Sequence, residues 1–415
     1  AGVAFLIDLY TSIITYKLSH NNMNMRAAFL HNLSDALASI GVIIGGALII
    51  LYNVIWVDAL ITIMIGGYIL WQGIKMLPDS INFLMDFNDV TNIFKEDLLR
   101  IERSIQENYQ SDVPLIPGIG DYLLKNGGKR IRPLLLMVGT KLCGRDVDER
   151  VIRHGCVIEY IHSATLLHDD VVDQTTIRRG RETVNAKWGS DASILVGDFL
   201  ISRSILMLAA DCDSRVINSV SEATKHLVEG GIMEYSQARK LSVTESHCLD
   251  VILRKTASMM SLGCELAALL AETNPEQERA LITFGTQFGM AFQLMDDAMD
   301  YGSEENYLGK PPGNDFQEGH VTLPLLHLYE NSEASLKKRI EAFVKNENLT
   351  HEDFDYVLER MREAKSIEYT LELARNYIEQ AKASIRTVTF PQPEYIKSLD
   401  AIADYIYDRH TAIQS

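Results

Sequence analysis

Ile161-His-Ser-Ala-Thr-Leu-Leu-His-Asp-Asp-Val-Val-Asp173 is the stretch on which the reading of this chain turns. An apolar helical run, Val157 to His168, ends in three aspartates. Asp169 and Asp173 are one turn apart and share a helix face, while Asp170 points about 100° away. Acids this close repel one another unless a cation lies among them. Mg²⁺ suits the pattern, because it prefers oxygen ligands and pairs one or two carboxylates with substrate phosphates. For a single motif of this kind a solvated acidic patch is the better explanation.

That alternative fails at the second motif. Asp296-Asp297-Ala-Met-Asp300 closes another apolar helical run, Ala280 to Met295. Two helices ending in the same acid pattern predict aspartates facing each other at one mouth of a helical bundle, with Mg²⁺ around a diphosphate. From residue 91 onward apolar residues recur at spacings of three and four, as at Leu98, Ile101 and Ile105. A helix is expected near Ile93–Tyr109. Prolines are few there, and no alternating strand pattern or long-period repeat is visible. The expected class is all-α, a single large bundle of about ten or more helices.

A diphosphate also needs cations. Gly127-Gly-Lys-Arg-Ile-Arg-Pro133 places Lys129 and Arg132 three apart, behind glycines that let the backbone come close. It is no P-loop, since Leu123 stands where the first glycine belongs and Arg130 follows the lysine. Arg178 and Arg179 follow the first acid motif, just before Gly180. Arginine suits phosphate through its bidentate fork. Each of these alone is more often a solvated surface residue; their grouping around the acid motifs favours a site.

The net charge of −17 argues against a nucleic-acid partner. Five cysteines, Cys143, Cys156, Cys212, Cys248 and Cys264, lack metal-ligand spacing and read as reduced thiols of an intracellular protein. Composition shifts near residue 87. Residues 1–86 hold three of the 39 Lys/Arg and five of the 56 Asp/Glu, and the first glutamate is Glu96. Two domains are expected, 1–86 and 87–415.

The front reads as two to three transmembrane helices. Residues 1–16 look like the end of one span, and 27–51 and 55–77 each exceed the roughly 20 residues that a bilayer requires. Lys17, Arg26 and Lys75 place the first loop and the outgoing chain in the cytoplasm, with the front in the plasma (inner) membrane. The opening at Ala1 lacks signal-peptide features and suggests a fragment or a processed product. His31 and Asp35 lie four apart on one face of the second span, where ionisable residues are costly and usually functional. They could supply two ligands of a divalent-metal site; a hydrated interfacial histidine is the bland alternative.

The motifs carry two resemblances. Asn24-Met-Arg-Ala-Ala-Phe-Leu-His-Asn-Leu-Ser-Asp-Ala-Leu37 resembles the fifth span of cation diffusion facilitator zinc transporters. That resemblance implies a zinc role for His31 and Asp35, vestigial here because the spans with the other two ligands are missing. A membrane cation-transporter fragment is thus the competing functional reading. Residues 90–415 resemble the polyprenyl diphosphate synthase family, octaprenyl type. The resemblance rests on Gly-Gly-Lys129-Arg-Ile-Arg132-Pro, the stretch Ile161 to Asp173, Arg178-Arg179-Gly, Lys255-Thr256-Ala, Gln293 to Asp300 and Leu308-Gly-Lys310.

That resemblance implies an isoprenoid-synthase-type bundle, a homodimer, and Mg²⁺-dependent condensation of isopentenyl diphosphate with an allylic diphosphate (farnesyl or geranyl). It gives Lys129, Arg132, His162 and Arg179 to isopentenyl diphosphate, and Arg178, Lys255, Thr256, Gln293 and Lys310 to the allylic diphosphate. Asp169, Asp173 and Asp296 would bind Mg²⁺ directly, with Asp170, Asp297 and Asp300 in support. The chain departs from the family at Glu318-Gly-His320, where a lysine usually stands in place of His320. Small residues Ala164 and Thr165, one turn below Asp169, would let a growing chain pass, with Ile205 and Leu208 as candidate floor; small residues that merely fit helix packing are the alternative. The expected product has about 30–50 carbons, with the octaprenyl length favoured, for ubiquinone or menaquinone side chains.

Overall fold

A computed structural model describes residues 87–124, 128–178, 180–302, 313–346 and 350–411, together with Gly67 and Trp71. The chain falls into two compact units, 1–86 and 87–414. The expected membrane spans, with His31 and Asp35, lie outside the described residues apart from Gly67 and Trp71, which are helical.

Helices dominate the described part of the second unit. In chain order they are α1 (Lys95–Asn108), α2 (Leu115–Leu124), α3 (Ile131–Leu142), α4 (Glu149–Val172), α5 (Val184–Trp188), α6 (Ser190–Asp211), α7 (Ser214–Gln237), α8 (Glu245–Ile252) and α9 (Ser258–Leu270). Then follow α10 (Pro275–Gly302), α11 (Asn314–Glu318), α12 (Leu323–Glu330), α13 (Ala334–Lys345), α14 (His351–Glu363), α15 (Ser366–Arg386) and α16 (Ile396–Thr411). A two-residue antiparallel ribbon, β1 (Ile177–Arg178) and β2 (Arg181–Glu182), pairs Ile177 with Glu182 across Gly180, whose φ of 71° suits glycine. This ribbon is the described departure from the all-helical expectation, and it carries Arg178.

The first acid motif ends a helix longer than its apolar run. Asp148 caps α4, its carboxylate accepting from the backbone N–H groups of Arg150 and Val151, both at 3.0 Å. The helix is then buried along most of its length, with His154, Glu159 and Asp170 enclosed among its apolar residues. The second motif ends α10, which packs against α9 on one side and α15 on the other. The main core lies among α3, α4, α9, α10 and α15. A smaller core, with Tyr301, Phe316, Phe354 and Met361, wraps the end of α10.

Between α8 and α9 the backbone widens into a π-turn, Leu253–Ala257. Its neighbours approach very closely. A Cβ on Gly230 of α7 would lie 2.6 Å from the Lys255 nitrogen, and one on Gly289 of α10 would lie 2.5 Å from the Ala257 Cα. Glycine at both points lets two helices grip the turn.

Candidate active site

The last turn of α4 is tied down from outside. Asn185 Nδ2 donates to the carbonyls of Asp170 (2.9 Å) and Thr175 (3.0 Å), and Ser193 donates to that of Leu167 (2.9 Å). Asp169 and Asp173 are left half-buried, whereas Asp170 turns inward and accepts from Arg178 Nε at 2.8 Å. Burial raises the pKa of all three above the usual carboxylate value. Arg178 partly offsets this at Asp170; Lys255 does so at Asp169, and His320 and Lys255 at Asp173.

The second motif divides differently. Asp296 is half-buried, while Asp297 and Asp300 are buried. Gln293 Nε2 donates to Asp297 Oδ1 at 2.8 Å, and Gln293 Oε1 accepts from the Thr256 hydroxyl at 2.7 Å. Burial raises Asp297 strongly, Asp315 adds to this, and the Gln293 amide opposes it. Asp300 is a scaffold for the next helix: its carboxylate accepts from the Asp315 N–H at 3.0 Å and its carbonyl from the Gly313 N–H at 2.8 Å.

Lys255 and Thr256, consecutive in the π-turn, serve different partners. Thr256 begins the chain to Asp297. Lys255 pairs with Glu234 of α7. Glu234 raises the pKa of Asp169, Asp173 and Asp297, so one pair lies within electrostatic reach of both motifs. Glu234 is a member of this cluster that the sequence did not single out. His320, left out of the expected site, belongs to the same field: it bears on Asp173 and Glu234, and its Nδ1 lies 3.8 Å from Glu318. Asp315, Glu318 and His320 bring ligand atoms within 4.8 Å of one another.

The carboxylates fit a divalent cation. They are hard oxygen donors whose burial penalises unneutralised charge, and several of them raise one another.

The other expected residues are placed unevenly. Lys129 meets Tyr405 of α16, bonding its hydroxyl and lying 4.5 Å from the ring centroid. Arg130, between Lys129 and Arg132, is structural: at φ 47° it pairs with Glu102 and Glu159, both at 2.6 Å. Arg132 and His162 are half-buried. Arg179 and Lys310 lie outside the described residues. Ala164 is buried in the main core, while Thr165 is half-buried and donates to the His162 carbonyl at 2.8 Å. Leu208 is buried, but Ile205 is 60% exposed on the outer face of α6. Ile205 therefore cannot floor a cavity within this chain, a correction to the sequence reading.

Comparison with known proteins identifies the family. Residues 113–361 match the profile of the Polyprenyl synthetase family. Residues 1–85 match that of the Cation efflux transmembrane domain. The chain is 35% identical to the octaprenyl diphosphate synthase of Haemophilus influenzae over 327 residues, covering 79% of this chain and 98% of that one. It is 34% identical to the Escherichia coli octaprenyl diphosphate synthase over 330 residues, covering 80% and 99%. Among solved structures, a polyprenyl synthase from Caulobacter crescentus complexed with calcium and isoprenyl diphosphate superposes with a TM-score of 0.74 at 32% identity, covering 77% of this chain and 97% of that one. A decaprenyl diphosphate synthase from Rhodobacter capsulatus gives a TM-score of 0.74 at 30% identity, covering 78% and 99%. Two repeated aspartate motifs ending buried helices, a lysine–glutamate pair within reach of both, and relatives matched over nearly their whole length place this chain in the polyprenyl synthetase family of prenyltransferases.

Proposed function

We propose that residues 87–415 condense isopentenyl diphosphate repeatedly with an allylic diphosphate, giving an all-trans chain of about 30–50 carbons, with the octaprenyl length favoured. The product would supply quinone side chains. The observation that carries this reading is that aspartates of both motifs share the field of the Glu234–Lys255 pair. Such a site suits a diphosphate accompanied by metal ions.

Asp169, Asp173 and Asp296 would hold magnesium, which when bound supplies Lewis acidity and a template for the diphosphate. The side chains do the rest. Lys255 and Arg178 place positive charge where the leaving diphosphate develops negative charge. The chain Thr256–Gln293–Asp297 fixes the rim of the second motif. Lys129, Arg132 and His162 hold isopentenyl diphosphate, so its double bond lies beside the allylic carbon as the C–O bond breaks. Attack forms the new C–C bond, and the departing diphosphate takes the proton that the adduct loses. Holding two substrates in this order is catalysis by position.

The outer faces of α6 and α7 expose Leu195, Leu206, Ile232 and Tyr235 alongside Ile205. Apolar surface of this extent suits a second copy of the chain, which we take to be its partner in a homodimer. Residues 1–86 are read as a membrane segment, with the catalytic unit on the cytoplasmic side. The test is to incubate the full chain, and residues 87–415 alone, with farnesyl diphosphate, labelled isopentenyl diphosphate and Mg²⁺. Labelled chains of octaprenyl length are expected from both. No elongation by either would defeat the proposal; loss confined to the shorter form would return the membrane segment to consideration.

A further inference from the structure

Glu234 belongs to neither aspartate motif and stands next to the exposed Tyr235 on α7. Its surroundings are nevertheless built around one neighbour. Gly230, one turn earlier on the same face, is the point where α7 comes closest to the Lys255 backbone. Arg254 is anchored on both sides, donating to Glu229 at 2.7 Å and to Asp250 at 3.0 Å. Thr256 is anchored to Gln293. The backbone on either side of Lys255 is thereby fixed, and the long lysine side chain is what remains to be placed. Its ammonium group has one carboxylate partner in Glu234 and two others, Asp169 and Asp173, within electrostatic reach.

We propose that Glu234 is a positioning residue, holding the Lys255 ammonium group away from Asp169 and Asp173 and presenting it to the allylic diphosphate. The proposal rests on the reading that Lys255 binds that diphosphate. Lysine is a flexible point charge with costly rotamer entropy, so a fixed partner lowers the cost of ordering it on binding. Without Glu234 the ammonium group would turn to Asp169 and Asp173 and compete with the metal there. Burial alone would raise the pKa of Glu234, yet Lys255 and His320 bring it below the ordinary glutamate value, so the partner is a carboxylate and not a neutral acid.

The experiment is a double-mutant cycle on the full chain with Glu234→Gln and Lys255→Met. The probe is the S-thiolo analogue of farnesyl diphosphate, which resists ionisation, titrated calorimetrically in saturating Mg²⁺. Glu234→Gln is expected to weaken the analogue roughly tenfold, the scale of one charge-assisted hydrogen bond. It should also raise the Mg²⁺ concentration needed for half-maximal analogue binding, and leave the KM for isopentenyl diphosphate unchanged. In the Lys255→Met background the same substitution should do nothing to analogue affinity. If Lys255→Met alone leaves affinity unchanged, the reading of Lys255 fails. If Lys255→Met weakens binding while Glu234→Gln does not, or does so equally in both backgrounds, the role of Glu234 is overturned and that of Lys255 stands.

Discussion

Replacing Gln293 by Met tests the hydrogen-bonded chain from the π-turn to the second aspartate motif. Methionine keeps the length and apolar stem of the side chain but can neither accept from Thr256 at 2.7 Å nor donate to Asp297 at 2.8 Å. The bond to Asp297 involves a buried carboxylate, worth about 1.5–3 kcal/mol, and the neutral bond to Thr256 about 1 kcal/mol. The two bonds share one amide and are not independent, so a combined loss of about 2–3 kcal/mol is expected. That corresponds to a fall of roughly 30–150-fold in kcat/KM for the allylic substrate. The assay varies farnesyl diphosphate at saturating isopentenyl diphosphate and Mg²⁺, with thermal unfolding measured in parallel. Adding Thr256→Val to the Gln293→Met protein should cost little more, since its partner is already gone. A loss under about threefold, or full additivity of the two substitutions, would refute the claim that the chain orders the rim.

Three further outcomes are expected. Thr165→Tyr, on the half-buried face of α4, should shorten the product toward about fifteen carbons, read by chromatography of the dephosphorylated chains; Ala164→Tyr should shorten it too, but at about 1–3 kcal/mol of stability, because Ala164 is packed in the core. An unchanged product distribution in both would dismiss this wall of the pocket. His320→Lys supplies a full charge beside Asp173 and Glu318 and should lower the KM for the allylic diphosphate by roughly threefold to tenfold; a rise would show that the imidazole is itself required. Burial holds His154, 3.2 Å from Asp211, below its ordinary pKa of 6.5. The unfolded chain therefore takes up a proton first as pH falls below 6.5, and stability should decline from there toward the lower folded pKa. Denaturant melts between pH 7 and 5 check this, and His154→Leu should flatten the slope over that window.

Much of the site was legible because its carboxylates are local patterns. Asp169 to Asp173 and Asp296 to Asp300 each lie within one helical turn and end apolar runs, so spacing alone separates the half-buried Asp169 and Asp173 from the inward Asp170. Long-range partners were not legible. Glu234 is an isolated acid whose meaning comes from Lys255, 21 positions away. The π-turn could not be foreseen either: Leu253-Arg-Lys-Thr-Ala257 is ordinary helical sequence, and its widening goes with close packing against Gly230 and Gly289. Ile205 misled because an apolar residue on an apolar helix reads as core, whereas α6 also carries an outward apolar face. The smaller core around Tyr301 and Phe354 was missed because it gathers short helices from distant parts of the chain.

The π-turn also sets the azimuth of everything on either side of it. A regular helix advances about 100° per residue, so one additional residue in a turn offsets the two flanking segments by about that angle. Lys255 and Thr256 both lie inside this turn, Lys255 toward Glu234 and Thr256 toward Gln293. Neighbouring residues of any helix diverge in this way, and what the added residue sets is the phase of α8 against α9. Deleting one residue from 253–257 would rotate α8 against α9 by about 100°, so the two segments could not both keep their present neighbours. Lengthening or shortening the segment here is therefore a change of angle before it is a change of distance.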